Sequence, residues 1–200
     1  MCWAEKLGMY KLLVKIKVGV FAPTFDILGS VDKMNYHNIT KDDMLNGDGL
    51  RVVLWVSGCT HHCEGCQNPI TWDLGGGLPF DQAAEEELFE ALAKPHCSGI
   101  TFSGGDPLHP FNRSEVFRLA KKAKELFPEK PVWSYTGFLW EDVKDEEGMK
   151  YIDVLCDGKF VKELNDNTIE WVGSTNQRVI NVPESLRTGN VVIHKSIAQV

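Results

Sequence analysis

The chain has 200 residues, of which 43% are hydrophobic and 10% aromatic, so it can bury the core of a domain and is not a disordered tail. Its formal net charge of −7 argues against a nucleic-acid partner, because nucleic-acid binders carry a basic surface. No apolar run approaches the roughly 18 residues of a membrane-spanning helix, so we expect a cytoplasmic protein with no membrane partner.

The first predicted elements precede the cysteine-rich part of the chain. Residues 11–21, "KLLVKIKVGVF", have strand character, and Lys15 and Lys17 interrupt the run so that no signal peptide is predicted. Residues 50–56, "LRVVLWV", are predicted as a buried strand that leads straight into "SGCTHHCEGCQN". The glycines and prolines of the following "NPITWDLGGGLP" predict an irregular loop.

A helix over residues 82–94, with Asp81 as its N-cap, begins an alternating series of elements. The series continues with a strand at 99–103, a helix at 113–127, a strand at 131–137, a weaker helix near 139–147 and a strand at 151–158. This alternation predicts an α/β fold with a parallel sheet and right-handed crossovers. Basic residues at helical spacing are interpreted as a solvated face: Arg118, Lys121, Lys122 and Lys124.

Glycines and polar residues lie at the carboxyl end of each of the predicted strands. They are Gly58-Cys59, Gly104-Gly105-Asp106, Thr136-Gly137 and Asp157-Gly158. The carboxyl ends of parallel strands meet at one edge of a sheet, which is where α/β proteins bind their ligands. We therefore expect these residues to lie close together.

Three cysteines, Cys59, Cys63 and Cys66, fall within eight positions, and no fourth is near. In a reducing compartment such clusters are metal ligands or redox groups more often than disulfides. Three thiolates can hold a cubane iron–sulfur cluster and leave one iron open. The spacing alone leaves two alternatives: a zinc site completed by His61 or His62, and thiol redox chemistry.

Other residues in and around the predicted site are given ordinary structural roles. His61 and His62 are interpreted first as exposed loop residues. Cys97 and Cys156 are expected to be small core residues, the usual fate of a free thiol. The tryptophans near the predicted site are expected to pack in the core or in loops: Trp72, Trp133 and Trp171.

Two motifs carry a resemblance to a known superfamily. "CTHHCEGC" resembles the cluster motif of the radical S-adenosylmethionine enzymes, and "SGGDP" resembles their glycine-rich methionine-binding motif. The finer pattern is similar to the family of anaerobic ribonucleoside-triphosphate reductase activating proteins. From Met34 to about Val182 the chain carries that family's motifs in order: "MNYHNIT", "NGDGLRVVLWVSGC", "GCQNPITWDLGGGLPF", "ITFSGGDPLHP", "WSYTG", "VLCDGKFV" and "GSTNQRVI".

The resemblance implies a fold, two cofactors and a set of site residues. The fold is a partial (β/α) barrel with a mostly parallel sheet and outer helices. Cys59, Cys63 and Cys66 would hold a [4Fe-4S] cluster, whose open iron chelates S-adenosylmethionine, and no side chain has a catalytic role of its own. The residues expected to contact the cofactor are Gly65, Cys66, Gln67, Ser103, Gly104, Gly105, Asp106, Ser134 and Thr136.

Within that set, the expected contacts differ in kind. The carbonyls of Gly104 and Gly105, with Asp106 nearby, suit the methionine ammonium group. Ser134 and Thr136 are expected near the ribose or the methionine carboxylate. Gln67 stands where the family often has Tyr or Phe, so only its backbone is expected to keep a contact. Glycine at position 65 is normal for the family.

The resemblance also implies partners and domain bounds. The substrate would be a glycine in the large subunit of the anaerobic reductase, and the electron would come from a small reducing protein such as flavodoxin. Residues 1–33 have no counterpart and are interpreted as an N-terminal extension of uncertain status, with the activase domain at 34–200. Two alternatives are kept: an activase of another glycyl radical enzyme, of the pyruvate formate-lyase type, and a zinc-stabilised binding module.

Overall fold

The computed structural model of this chain describes residues 34–196. The strand predicted at residues 11–21 lies outside them. Within the described part, the strands are β1 (Asn35–Asp43), β2 (Arg51–Val56), β3 (Leu78–Pro79), β4 (Gly99–Gly104), β5 (Val132–Tyr135), β6 (Val154–Asp157) and β7 (Arg178–Asn181). They form one seven-stranded sheet in the order β3-β1-β2-β4-β5-β6-β7, whose two end strands do not pair with each other. The sheet is therefore open.

The centre of the sheet follows the sequence prediction. β2, β4, β5 and β6 are parallel neighbours, which confirms the four strands predicted from apolar runs. The expectation of a mostly parallel sheet is wrong for the edges, where β1, β3 and β7 pair antiparallel. A loop without a helix joins β1 to β2, because antiparallel neighbours need no crossover helix.

The helices cover the sheet with bounds close to those predicted for the two long ones. They are α1 (Gln82–Leu92), α2 (Arg113–Leu126), α3 (Trp140–Val143) and α4 (Val182–Thr188), with 3-10 turns at Pro69–Thr71, Glu147–Tyr151 and Lys162–Leu164. The Asp81 carboxylate accepts a hydrogen bond from the Ala84 amide at 3.0 Å, which confirms the predicted N-cap.

Two local predictions are wrong. The helix predicted near 139–147 is a single α-helical turn, α3, followed by a 3-10 turn, and β6 consequently begins three residues later than predicted. The loop after the cysteines is not wholly irregular, since it contains the 3-10 turn Pro69–Thr71 and the short strand β3. Proline suits the first position of such a turn because it lacks the amide hydrogen that would go unbonded there.

Two apolar clusters lie on opposite faces of the sheet. The larger contains α1, α2 and the strand side chains that face them, such as Leu54, Phe102 and Leu155. The smaller contains Trp133 and Cys156, with Trp171 against it. Successive side chains of a strand point to opposite faces, so the helix-free face carries the second cluster.

Candidate functional site

The carboxyl ends of the parallel strands enclose a cavity of about 490 Å³. Strand register aligns Val56 with Gly104 and Tyr135 with Cys156, so the segments that follow these strands begin side by side. Eight of the residues predicted for the site line this cavity: Cys59, Cys63, Cys66, Gln67, Ser103, Gly104, Gly105 and Thr136. The cavity volume is in the range typical of cofactor sites.

The turn after β4 is hydrogen-bonded to the start of the cysteine loop. The Gly105 amide donates to the Val56 carbonyl and the Asp106 amide to the Gly58 carbonyl, each at 2.8 Å. Gly104 has a φ of 101°, and a Cβ atom there would lie 2.7 Å from the Val56 oxygen. A Cβ atom on Gly105 would lie 2.6 Å from the Gly58 oxygen. Both glycines are therefore required by backbone packing within the protein.

The cysteine loop presents three half-buried thiols with backbone amides directed at two of them. The Asn68 amide donates to the Cys66 sulfur at 3.4 Å, and the amides of His61 and His62 donate to Cys59. Burial raises the pKa of the Cys59 thiol, and the two amides oppose that rise by stabilising the thiolate. Amide donors of this kind tune iron–sulfur clusters.

His61 is not the exposed loop residue that the sequence analysis expects. Its side chain is 8% exposed, and its Nε2 donates to Asp106 Oδ2 at 2.6 Å. The ring also packs edge-on against Phe138 at 4.8 Å between centroids. A Cβ atom on Gly137 would lie 2.3 Å from the His61 ring, so glycine there makes room for the imidazole. The expectation is confirmed for His62, which is exposed.

Asp106 lies beneath the cavity and connects three strand ends. Its side chain is 1% exposed. Oδ1 accepts from the Leu108 amide at 2.8 Å and from the Thr136 hydroxyl at 2.9 Å. Oδ2 accepts from the Gly137 amide at 3.2 Å in addition to His61. The carboxylate therefore joins the cysteine loop, the turn after β4 and the segment after β5.

Three of the residues predicted for the site do not line the cavity. Asp106 is one of them. Ser134 is fully buried within β5, where its hydroxyl faces the Tyr135 carbonyl at 3.4 Å. Gly65 is exposed at the outer side of the cysteine loop, with a φ of 77° and the Phe160 ring 3.4 Å from where a Cβ would lie.

The structure adds residues that the sequence analysis placed elsewhere. The expectation of core or loop packing is confirmed: Trp133 is buried in the core, Trp171 packs against it, and Trp72 packs edge-on against the loop residue His62. Trp72 and Trp171 also line the cavity. Tyr135 lines the cavity in place of Ser134 because alternate strand residues face opposite sides. A further part of the cavity wall comes from residues 158–177, which adjoin the cysteine loop where Lys162 pairs with Glu64. The motifs "DGKF" and "GSTNQR" are the signal that could have indicated this wall.

The cysteine spacing is compatible with two kinds of metal centre, a zinc ion and a cubane cluster. Within residues 34–196, no three His, Cys, Asp or Glu side chains converge to hold a single metal ion. A cubane cluster needs a different arrangement, because each thiolate binds a separate iron atom. His61 Nε2, which would have completed a Cys3His zinc site, is bonded to Asp106 instead. The three thiols and their amide donors fit a cluster.

No helix among residues 34–196 is both long and apolar enough to cross a membrane.

Comparison with known proteins adds independent information. The family model of a 4Fe-4S single cluster domain matches residues 45–180. The chain is 47% identical over 146 residues to the anaerobic ribonucleoside-triphosphate reductase-activating protein of Enterobacteria phage T4, covering 73% of this chain and 93% of that protein. Proteins of the same name from Vibrio cholerae and Escherichia coli K12 are 42% and 40% identical over 148 and 150 residues. Those matches cover 72% and 73% of this chain and 96% and 97% of the two relatives.

Proposed function

The chain belongs to the family of anaerobic ribonucleoside-triphosphate reductase-activating proteins, and from this premise we propose that it activates such a reductase as a radical S-adenosylmethionine enzyme. One observation carries the proposal: three cysteines, with no fourth from residues 34–196, share a cavity with the glycine turn after β4. A site that supplies three ligands leaves a position for a substrate.

In this proposal Cys59, Cys63 and Cys66 hold a [4Fe-4S] cluster. When bound, the cluster would supply the one electron that splits S-adenosylmethionine into methionine and a 5′-deoxyadenosyl radical, which would take a hydrogen atom from a glycine of the reductase and leave a glycyl radical there. The protein positions the reactants and excludes water. Amides directed at Cys59 and Cys66 stabilise their thiolates.

We assign S-adenosylmethionine to the same cavity, in contact with the turn after β4. The carbonyls of Gly104 and Gly105 are the acceptors for its ammonium group, and Ser103 and Thr136 lie on the cavity wall. Thr136 can only accept a hydrogen bond there, because its hydroxyl proton is donated to Asp106. Asp106 contributes indirectly, because its hydrogen bonds hold the cysteine loop, the turn after β4 and the segment after β5 in place. Gln67 contributes to the wall beside the cysteines, whereas Ser134, being fully buried, is left out of the contact set.

The fold and domain organisation support the same proposal. We interpret the open sheet with helices on one face as a partial (β/α) barrel of the radical S-adenosylmethionine type, formed by a domain at 34–200. An open sheet leaves the cavity accessible to a glycine-bearing segment of the large reductase subunit. A cytoplasmic location and an electron donor such as flavodoxin complete the proposal on the strength of the family resemblance.

The test is anaerobic reconstitution with iron and sulfide, followed by reduction in the presence of S-adenosylmethionine. We expect about four irons and four sulfides per chain, as one cubane cluster requires, and release of 5′-deoxyadenosine. With the reductase large subunit added, a glycyl radical signal should appear by electron paramagnetic resonance. A single tight zinc and no iron would favour the binding module. A glycyl radical formed only in pyruvate formate-lyase would favour the other activase.

Replacing Cys59, Cys63 or Cys66 singly with Ala is expected to abolish cleavage of S-adenosylmethionine, because a two-thiolate site does not hold the cluster. Cys97→Ala is the matched control, since Cys97 is buried in the core away from the cavity and should leave the visible absorbance unchanged. The measurements are 5′-deoxyadenosine release and iron content. Full activity in all three single variants would refute the ligand assignment.

A further inference from the structure

We infer that His61 and Asp106 form a positioning pair that fixes the glycine turn after β4 relative to the cysteine loop. The inference rests on the proposed function and goes beyond it, because neither residue is a cluster ligand or a cofactor contact in it. His61 lies between Cys59 and Cys63, and Asp106 directly follows Gly105. Their hydrogen bond is thus a direct side-chain link between the cluster loop and the cofactor turn.

The pair is buried and held from several sides. The His61 and Asp106 side chains are 8% and 1% exposed, and their hydrogen bond is 2.6 Å long. The Phe138 ring and the space left by Gly137 fix the imidazole plane. A short hydrogen bond to a buried carboxylate is worth more than a surface ion pair, because water does not compete for it.

The hydrogen bonds of Asp106 explain why it positions other residues and does not bind the cofactor. An ionised carboxylate offers about four acceptor sites. Four donors take them: the Leu108 and Gly137 amides, the Thr136 hydroxyl and His61 Nε2. No acceptor is left over for an ammonium group, which leaves that role to the glycine carbonyls.

Asn112 makes a second connection between the end of β2 and the turn after β4, by hydrogen bonds to backbone carbonyls. The Asn112 side-chain amide donates to the Ser57 carbonyl at 2.8 Å and to the Asp106 carbonyl at 3.0 Å. It thereby ties the end of β2 to the turn after β4 without involving His61. Because this link persists when His61 is replaced, we expect the glycine turn to shift and not to unfold.

The experiment compares five variants reconstituted anaerobically as the full chain, two of which are Asp106→Asn and the double variant His61→Phe/Asp106→Asn. His61→Phe keeps an aromatic ring against Phe138 but loses the hydrogen bond. His61→Gln can place an amide donor where Nε2 lies and serves as the conservative rescue. His96→Phe is the matched control, because it removes a His–Asp hydrogen bond of similar length, 2.8 Å to Asp42, at an exposed position outside the cavity. Iron and sulfide content, the dissociation constant of S-adenosylmethionine by equilibrium dialysis and the thermal unfolding midpoint are measured for each.

His61→Phe is expected to keep the cluster and the fold but to bind S-adenosylmethionine about tenfold more weakly, the effect of losing one hydrogen bond to a charged group. His61→Gln should recover most of that affinity, and His96→Phe should match the original protein. The double variant His61→Phe/Asp106→Asn should bind S-adenosylmethionine no more weakly than the weaker-binding of its two single variants. Both substitutions remove the same hydrogen bond, so their effects should not add.

Two results would overturn the inference. Unchanged affinity in His61→Phe with a full cluster would mean that the pair does not position the turn. Loss of the cluster itself in both His61 variants would make His61 part of the cluster site. Either result leaves the proposed function intact so long as the unaltered protein binds its cluster and cleaves S-adenosylmethionine. Failure of the unaltered protein in those assays would count against the proposed function.

Discussion

At position 105 even a single added carbon atom, the Cβ of any other residue, would collide with the backbone of neighbouring segments. Gly105 allows the turn after β4 to lie directly on the backbone of Gly58 and Thr71, whose oxygens would be 2.6 and 2.9 Å from an added Cβ. Neither oxygen can move without displacing β2 or the cysteine loop. The glycine pair therefore has a structural requirement that is independent of any bound cofactor.

Gly105→Ala is expected to destabilise the metal-free protein by about 1–3 kcal/mol, the usual cost of overpacking a rigid site. Urea unfolding measures the change in the free energy of unfolding. Gly75→Ala is the control, because an added Cβ there meets its nearest atom at an ordinary 3.6 Å and the residue is exposed. Equal stabilities for the two variants would contradict the packing described here.

Cys156 has a perturbed acidity that can be measured. Burial raises the pKa of its thiol from 9.0 to about 12, and Tyr135 partly offsets the rise by hydrogen bonding to the sulfur. Below about pH 9 the thiol is protonated in the folded and unfolded states alike, so stability does not depend on it. Between pH 9 and 12 only the unfolded chain releases the proton, and stability falls.

Between pH 8 and 10 the original protein should therefore lose roughly 1.5 kcal/mol more unfolding free energy than Cys156→Ala. Urea unfolding of both proteins at several pH values gives the slope of unfolding free energy against pH for each. Subtracting one slope from the other cancels the contribution of the other titrating groups. Identical slopes would show that Cys156 ionises as easily in the folded protein as in the unfolded chain.

At the scale of elements, β6 and β7 are joined by a dense set of polar contacts. The Asp157 carboxylate is fully buried and pairs with the Arg178 guanidinium. Beside it, the Gln177 side chain donates to the Gly158 carbonyl at 2.9 Å and accepts from the Gly173 amide at 3.0 Å. The motifs "DGKF" and "GSTNQR" therefore form one unit, which holds the part of the cavity wall formed by residues 158–177.

Arg178→Ala is expected to cost about 3 kcal/mol of unfolding free energy, because it leaves the buried Asp157 carboxylate without its cation. Asp157→Asn in the same chain should restore part of that loss. Arg187→Ala is the control, since Arg187 pairs with Glu184 on the surface and its removal should leave the urea midpoint unchanged. Equal midpoints for Arg178→Ala and Arg187→Ala would argue against a buried pair.

At the scale of the whole molecule, the backbone is packed into the sheet from Met34 onward. Met34 is 4% exposed, and its carbonyl accepts a hydrogen bond from the Phe80 amide at 2.9 Å. β1 follows at once and pairs with both β2 and β3. These contacts support the proposed domain boundary at residue 34.

A protein that starts at Met34 is therefore expected to retain the unfolding free energy, cluster content and 5′-deoxyadenosine release of the full chain. A protein that starts at Lys41 is the comparison, because it lacks most of β1 and should not fold cooperatively. Urea unfolding and iron analysis distinguish the two. A marked loss of stability on removing residues 1–33 would move the boundary of the domain.

An element of the fold could be predicted when its own sequence carried a periodic apolar pattern. The four parallel strands and the two long helices were predicted because their apolar periodicity lies within the segment itself. β1 and β7 were missed, since their mixed polar and apolar residues are half-buried at the sheet edges. The one-turn helix α3 has too few residues for a period to be recognised.

The sequence by itself determined the three cysteines, the glycine turn and their place at the ends of successive strands, because spacing along the chain carries that information. Only the tertiary structure decided which polar groups meet. The partners His61 and Asp106 are 45 residues apart, and nothing in either segment indicates the other. Parallel pairing of β2 with β4 brings them together, and a buried carboxylate binds whichever donors the fold places within reach.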